Sequence, residues 1–428
     1  MTMLRLLLTL SLIGHLSHAE AKDVQPETPR IPSAIFDAKD FGLVADGAND
    51  DTRAVQKAID KAASLGGGTV RLSKGNVLCG PLKLCSRLRL QIDAGVTLTM
   101  LPLSRYPGGT HDPADFIGAK GLTDLAVTGT GTIEGQGSDW WPAAKDKSKK
   151  RPRMIGLHDC ERILIEGVTL RNSPMFHIAI RGKEVTVSKV TVRAPSSKDP
   201  VSPSHNTDAC DVSGRNILVA DCDISVGDDN YTCGKDTSGV LIRNCRYGMG
   251  HGVSIGSYTE GGVSDFTVRD CVFEGTECGI RIKSDRDRGG HLTRITYENL
   301  KMTDVGMPIL IYGTYGEKDK RYRDLAKLTA DAAATYPAMP VTKTTPVYED
   351  ITFRNIAATV AAGGRAGLIW GLPEAPVRHL VMENVTIKAD LPLGLFNIQQ
   401  ADFKNVKVTT PEGENRFATS ATKITTSR

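Results

Sequence analysis

Aromatic residues are scarce in this chain, and several kinds of segment are missing from it altogether. Phe, Trp and Tyr make up only 5% of the 428 residues, whereas Gly reaches 43. The length would permit two or three domains, but this glycine-rich balance argues for one domain of a particular kind. No CxxC pair and no Cys/His cluster at zinc-ligand spacing occurs, so a structural zinc site is not expected. Charge of one sign is not in excess either, with 53 Lys and Arg against 49 Asp and Glu, a formal +4. That excludes the clustered basic surplus of a nucleic-acid binder, although a mild positive balance suits an anionic substrate. Hydrophobic residues at 40% and charged residues at 24% exclude a disordered chain. Long apolar runs are lacking as well. Only residues 6–13 form one, far short of the ~20 that cross a bilayer. Arg5 precedes this run, and Ser17-His18-Ala19 and Ala19-Glu20-Ala21 follow it. The pattern reads as a signal peptide over 1–21 and predicts a secreted or periplasmic protein with no membrane span.

A short phrase recurs along the chain. β-branched or apolar residues are followed by Asn, Asp, Gly or Lys, and then by an apolar residue. Ile165-Glu166-Gly167-Val168, Ile242-Arg243-Asn244-Cys245 and Phe353-Arg354-Asn355-Ile356 are three of the copies. The third position falls at 167, 189, 221, 244, 270, 299, 355, 384 and 405, with one gap of 56 residues that reads as a degenerate copy. A period of this size marks a stacked repeat protein. The units are short β-rich runs bounded by Gly, Asn, Asp and Ser, with no helix-length segment between them. That excludes helical and leucine-rich solenoids and leaves a parallel β-helix.

Nine Cys are present, so at least one is unpaired. Cys222, Cys245 and Cys271 share the slot that holds Val, Leu or Ile in other copies, which predicts an inward ladder of small apolar side chains rather than ligands or nucleophiles. Cys210 and Cys233 are 23 residues apart, a spacing that would let them stack or pair in the same way. One helix is predicted. Asp50, Asp51 and Thr52 offer caps, Val55, Ala58, Ile59 and Ala62 form an apolar stripe, and Gly66-Gly67-Gly68 ends it. A solenoid needs its open end covered, and this helix is expected to cover the N-terminal one.

Chemistry-bearing residues cluster in one stretch. Asn206-Thr207-Asp208 is followed after one repeat length by Gly227-Asp228-Asp229, then by Gly250-His251-Gly252, then by Arg281-Ile282-Lys283. Singly, each reads as a turn, a solvated surface pair or a calcium ligand set. Spaced by near-multiples of a coil, they stack on one face, where three carboxylates, an imidazole and two cations converge. Glycoside hydrolysis needs one protonated carboxyl and one carboxylate. Crowded carboxylates raise one another's proton affinity and so keep one acid protonated. Arg and Lys beside them would bind a substrate carboxylate, which points to a uronic acid polymer.

Further motifs carry a family resemblance over nearly the whole chain after 21. They are Asp40-Phe41-Gly42, Ala45-Asp46-Gly47, Gly80-Pro81-Leu82, the run from Gly129 to Gly137 with Trp140-Trp141, and Arg151-Pro152-Arg153-Met154-Ile155. With the four site motifs, they resemble the polygalacturonases, glycoside hydrolase family 28. The resemblance implies an all-β fold: a single-stranded right-handed parallel β-helix of about ten coils, with the N-terminal capping helix, filling 22–428 as one catalytic domain. It implies hydrolysis of α-1,4-galacturonosyl linkages with inversion. Asp228 would be the general acid, Asp208 and Asp229 would activate water, and His251 would tune the acid. Arg281 and Lys283 would bind the galacturonate carboxylate, Asn206 would line the site, and the family tyrosine is best matched by Tyr315, with Tyr312 as its rival. The expected partner is an acidic pectic polysaccharide or oligogalacturonide. A monomer is expected, with no nucleic acid, cofactor or metal. One departure stands out. Asn230 and Tyr231-Thr232-Cys233-Gly234 replace a Cys and a more aliphatic strand, so a family disulfide is not carried over and a reshaped subsite floor is expected.

Other readings keep the fold. The same mechanism could act on rhamnogalacturonan or xylogalacturonan, although the Arg281-Lys283 pair favours galacturonate at the cleavage subsite. A calcium-dependent pectate lyase and a non-catalytic glycan-binding β-helix are the alternatives of other classes. Whether a chain is cut internally or from its end depends on loops closing the cleft, and residues 145–153 and 317–345 are long enough to do so.

Overall fold

Nine repeat positions adopt one backbone turn. In a computed structural model, which describes residues 23–420 and 424–427, the third residue of every phrase has positive φ: Gly167 80°, Lys189 54°, Asp221 58°, Asn244 54°, Asp270 57°, Asn299 54°, Asn355 53°, Asn384 53° and Asn405 51°. This left-handed conformation is open to Gly and next most readily to Asn and Asp, which explains the composition of the slot. Lys189 occupies it without that advantage. The next residue turns inward, and Val168, Val190, Cys222, Cys245, Cys271, Leu300, Ile356 and Val385 are all buried. On the outside the side-chain amides form their own ladder. Asn355 Nδ2 donates to Asn299 Oδ1 at 2.9 Å, Asn384 Nδ2 to Asn355 Oδ1 at 3.0 Å and Asn405 Nδ2 to Asn384 Oδ1 at 2.9 Å.

Between these turns each coil contributes parallel strands, and together they close into a right-handed parallel β-helix. One ladder links fourteen described strands, from Ile35–Asp37 to Ile424–Ser427. It is longer than the phrase predicts because the first coils turn differently, as at Gly95 (φ 76°) before Val96. The apolar core runs inside the coils as one continuous column.

The 56-residue gap is not a degenerate coil. Tyr297 pairs directly with Phe353 and Glu298 with Arg354, so these two coils are neighbours. The surplus residues bulge outward between Met307–Tyr312 and Val347–Val360 and carry two short helices, Lys320–Arg323 and Ala330–Ala334.

The predicted helix spans Thr52–Ser64 and buries Ala54, Val55, Ala58, Ile59 and Ala62 against the strands of the first coils. Asp51 stands at its N-cap, but the Asp51 carboxylate turns back to accept from the Val44 and Ala45 amides at 2.8 and 2.9 Å. All nine Cys are free. Cys222, Cys245 and Cys271 form the expected inward stack. Cys210 and Cys233 do not share a slot, because Asp211 pairs with Thr232, which sets Cys210 beside Tyr231 instead. The expected signal segment 1–21 lies outside the described residues, and among those no helix is long and apolar enough to cross a membrane.

Candidate active site

Parallel pairing without offset places residues one coil apart directly over one another, ~4.8 Å apart. On the outward face one such column runs Asp211, Thr232, Ser254, Arg281. Asp208, Asp228, Asp229 and His251 belong to the turns entering these strands. The same stacking aligns their backbones, with Ala209 N donating to Asp229 O and His251 N to Asp228 O, both at 2.9 Å. All eight residues singled out in the sequence, namely Asn206, Asp208, Asp228, Asp229, His251, Arg281, Lys283 and Tyr315, line one cavity of about 490 Å³. Tyr315 is 45% exposed, and its ring lies 5.4 Å from Lys283 Nζ. Its rival Tyr312 is buried among apolar side chains.

The three carboxyls differ sharply. Asp229 is buried and fully engaged. Its Oδ2 accepts from Lys283 Nζ at 3.0 Å, and its Oδ1 accepts from Ser254 Oγ at 2.7 Å and from Arg281 Nη2. Burial alone would raise this carboxyl, but the two cations hold it below the usual range. Asp228 Oδ1 lies 3.0 Å from His251 Nδ1, and its Oδ2 accepts from Asn206 N at 3.2 Å. Burial again opposes ionisation and is again outweighed, here by the His251 hydrogen bond and by the charges of His251, Lys283 and Arg281, so Asp228 is also lowered. Asp208 has no such partners. Its Oδ1 is buried without a hydrogen bond. Burial, then Asp228 and Asp229, push its carboxyl well above the usual range. Of the three carboxyls, Asp208 is thus the one on which a proton is favoured, first by burial and then by its two acidic neighbours, whereas the resemblance implies Asp228 as the acid.

Several residues that position the site were not legible as motifs. Ser254 bridges Asp229 and Arg281, whose Nε donates to Ser254 Oγ at 3.0 Å. Glu277 Oε2 stands 3.3 Å from His251 Nε2, so the imidazole lies between two carboxylates. Arg151 Nη2 donates to Asn206 Oδ1 at 2.8 Å and fixes the turn whose amide meets Asp228. His177 is buried. Its Nε2 accepts from Ser173 N, which leaves Nδ1 to donate to Asp208 O, both at 3.3 Å, and burial lowers it to about 4, which keeps it neutral. The departure at Asn230 has a structural use. Its buried amide accepts from Gly252 N at 2.8 Å and donates to Met249 O at 3.0 Å, clamping the turn that carries His251. Coil spacing could have flagged Ser254, which sits one coil below Arg281. The rest depend on loop paths that no short pattern encodes.

Asp228, Asp229 and His251 bring potential metal-ligand atoms within 4.8 Å of one another. Both Asp229 oxygens already face fixed cations, so a divalent ion there would meet two positive charges. This donor set suits anion binding beside an acid pair rather than a metal.

The family model described as Glycosyl hydrolases family 28 matches residues 68–410. The chain belongs to this family. It is 32% identical to an endo-polygalacturonase of Pectobacterium carotovorum subsp. carotovorum, over 91% of this chain and 96% of that one. It is 31% identical to an exopolygalacturonase of Zea mays, over 94% of each. Among solved structures, the polygalacturonase from Erwinia carotovora ssp. carotovora is similar, with TM-score 0.70 and 29% identity over 89% of this chain and 99% of that one. An exopolygalacturonase from Thermotoga maritima shares the fold with TM-score 0.73 and 20% identity, over 94% of each chain. As a family 28 member the chain is a glycoside hydrolase.

Proposed function

We propose that this hydrolase cleaves α-1,4-galacturonosyl linkages in pectin or polygalacturonate by an inverting acid–base mechanism. The observation that carries the reading is the convergence of Asp208, Asp228 and Asp229 in one cavity with Arg281 and Lys283, where the surroundings raise one carboxyl and lower the other two, since the reaction needs one carboxyl charged and one neutral. A galacturonate carboxylate would dock on Arg281 and Lys283, sharing them with Asp229, while Asn206 and Tyr315 border the sugar. Asp228 then protonates the glycosidic oxygen as the C1–O bond breaks. Water attacks C1 from the opposite face and gives its proton to the Asp208–Asp229 side. His251, Lys283 and Arg281 lower Asp228 in the free site, so the donor role requires that substrate binding raise its proton affinity. The incoming carboxylate adds negative charge to the cluster and raises the proton affinity of Asp228, and Asp208 is the source of the proton. Export under a cleavable segment 1–21 fits action on a wall polymer.

The test pairs two variants on two substrates. Asp228→Asn should lose ~10²–10⁴-fold on polygalacturonate and recover most of its rate on a galacturonide whose leaving group needs no proton. Asp208→Asn should be impaired on both. Equal losses of Asp228→Asn on the two substrates would remove Asp228 from the donor role. The products should not absorb in the ultraviolet, and EDTA should have no effect. An unsaturated, EDTA-sensitive product would mean a lyase.

A further inference from the structure

The outward face of the site-bearing sheet changes character within one coil. In register, Arg281 is followed by Leu310 and Leu368, and Lys283 by Tyr312, Trp370 and Phe396. Up to Arg281 and Lys283 the column is polar and borders the cavity. One coil further, Leu310 and Tyr312 are 6% and 7% exposed, and Leu368 and Trp370 are 0%. The outward insertion after Tyr312 covers them. Tyr322, Leu328, Ala333 and Tyr336 pack over Tyr312, Leu368, Trp370 and Phe396 as a second apolar cluster outside the coils. The Tyr336 ring meets Trp370 edge-on at 5.0 Å, and the Tyr322 ring meets Tyr336 at 4.8 Å.

The insertion is anchored at the rim of the site. Arg286, three residues past Lys283, donates to Glu374 at 2.6 and 3.0 Å, to the Tyr336 hydroxyl at 3.0 Å and to Pro337 O at 3.0 Å. Tyr336 Oη in turn donates to Glu317 Oε2 at 2.9 Å. Arg365 Nη2 donates to Leu328 O at 2.9 Å, and Thr344 Oγ1 donates to Arg286 O at 2.8 Å. A segment fixed by a buried aromatic cluster and a bidentate ion pair is a wall rather than a lid.

The opposite direction differs. Toward the N-terminal coils the two columns continue as Asp211, Ala179, Gly156, Gly118 and as Ser213, Arg181, His158, Lys120. Past Asp211 one floor is made of small residues, and the other carries basic side chains, with Lys120 exposed and Arg181 exposed but paired to Asp211 at 3.1 Å. A second cavity of about 620 Å³ shares Arg181 and Lys235 with the first and is of mixed charge, lined by Lys183 and Arg215 together with Asp159, Glu161 and Asp236.

We propose that the cleft is blind on the C-terminal side and that the enzyme therefore cuts a galacturonan only near one chain end, releasing one or two sugar units. The inference rests on the pectic hydrolase reading above. The polyanion lies along the basic N-terminal coils, and its end abuts Tyr315, Tyr312 and the insertion. Between the acids and this wall lie only the coils of Ser254 and Arg281. With ~4.8 Å per coil, and a pyranose ring spanning about one coil, that leaves room for one or two units.

The experiment sizes the earliest products of the full-length protein on polygalacturonate while viscosity is followed. The proposal expects mono- or digalacturonate alone, with viscosity almost constant through the first tenth of the hydrolysis. A ladder of longer oligomers with a rapid viscosity drop overturns it and leaves the hydrolase reading intact, whereas absence of any cleavage overturns both. Replacing residues 318–340 by a short Gly-Ser linker opens the wall, and trimers and longer products should then rise at least several-fold. The milder Arg286→Ala should give a smaller rise in the same direction. If both variants keep the β-helix melting transition and still release only mono- or digalacturonate, the insertion is not the wall.

Discussion

His251 Nδ1 stands 3.0 Å from Asp228 Oδ1. With Lys283 and Arg281, this imidazole lowers the Asp228 carboxyl against a burial that by itself would raise it. The three carboxyls are chemically alike in sequence, and their surroundings separate them. Two face cations, and Asp208 faces the other two.

The first prediction concerns the acid side of the pH profile. Asp228 is held low by His251, which opposes proton uptake there. Replacing His251 by Gln removes that support, raises the proton affinity of Asp228, and moves the acid limb of kcat/KM to higher pH. An unmoved acid limb in a folded His251→Gln protein would separate His251 from Asp228. Glu277→Gln should shift the same limb less, because Glu277 acts only through the imidazole.

Stability should respond in the opposite sense at Asp208. Its folded carboxyl is raised, so the native state binds a proton more tightly than the unfolded chain does. Stability from this group is therefore present below the unfolded value of ~3.9 and falls as pH rises toward the folded value. Asp208→Asn removes that loss. The variant should melt above the parent at pH 7 and together with it near pH 3. Equal melting temperatures at both pH values would mean that Asp208 is not strained by ionisation.

Asp229 and Lys283 form a buried pair, and both are under 10% exposed. Lys283→Met leaves Asp229 with one cation fewer. Breaking such a pair costs roughly 3–5 kcal/mol, less here because Arg281 remains. The loss should be largest near neutral pH and shrink as pH falls through the lowered Asp229 value, since protonated Asp229 no longer needs a cation. A loss independent of pH would assign it to packing alone.

The outer amide ladder can be tested at Asn355, φ 53°. Asn355→Gly keeps the turn and loses two exposed hydrogen bonds, about 1 kcal/mol in all. Asn355→Ala also places a Cβ in the left-handed region, adding about 1 kcal/mol. Chemical denaturation should therefore rank the parent above the Gly variant and the Gly variant above the Ala variant. Reversal of the two variants, which lose the same ladder bonds, would show that the left-handed turn does not select the residue in this slot.

Much of the fold was legible because stacked coils repeat a local constraint. Every coil needs one left-handed corner and one inward apolar residue after it, so the phrase at Asn244-Cys245 or Asn384-Val385 is a direct record of backbone geometry. The helix over Thr52–Ser64 was legible for the same local reason. Where the expectation failed, the cause was non-local. The 56-residue gap held an insertion instead of a coil, because spacing alone cannot separate a weak repeat from a bulge. Cys210 and Cys233 are 23 residues apart, but a turn of different length moves the second by two positions.

The sequence by itself determined the coil and the convergence of the eight singled-out residues on one cavity, because a parallel register turns equal spacing into proximity. Tertiary structure decided the rest. Which carboxyl is raised and which are lowered depends on which of the three aspartates has cations within hydrogen-bond reach, and Coulomb energy varies with distance in space rather than along the chain. Where the cleft ends depends on which apolar outward residues, Leu368 and Trp370 among them, find Tyr322 and Tyr336 to cover them.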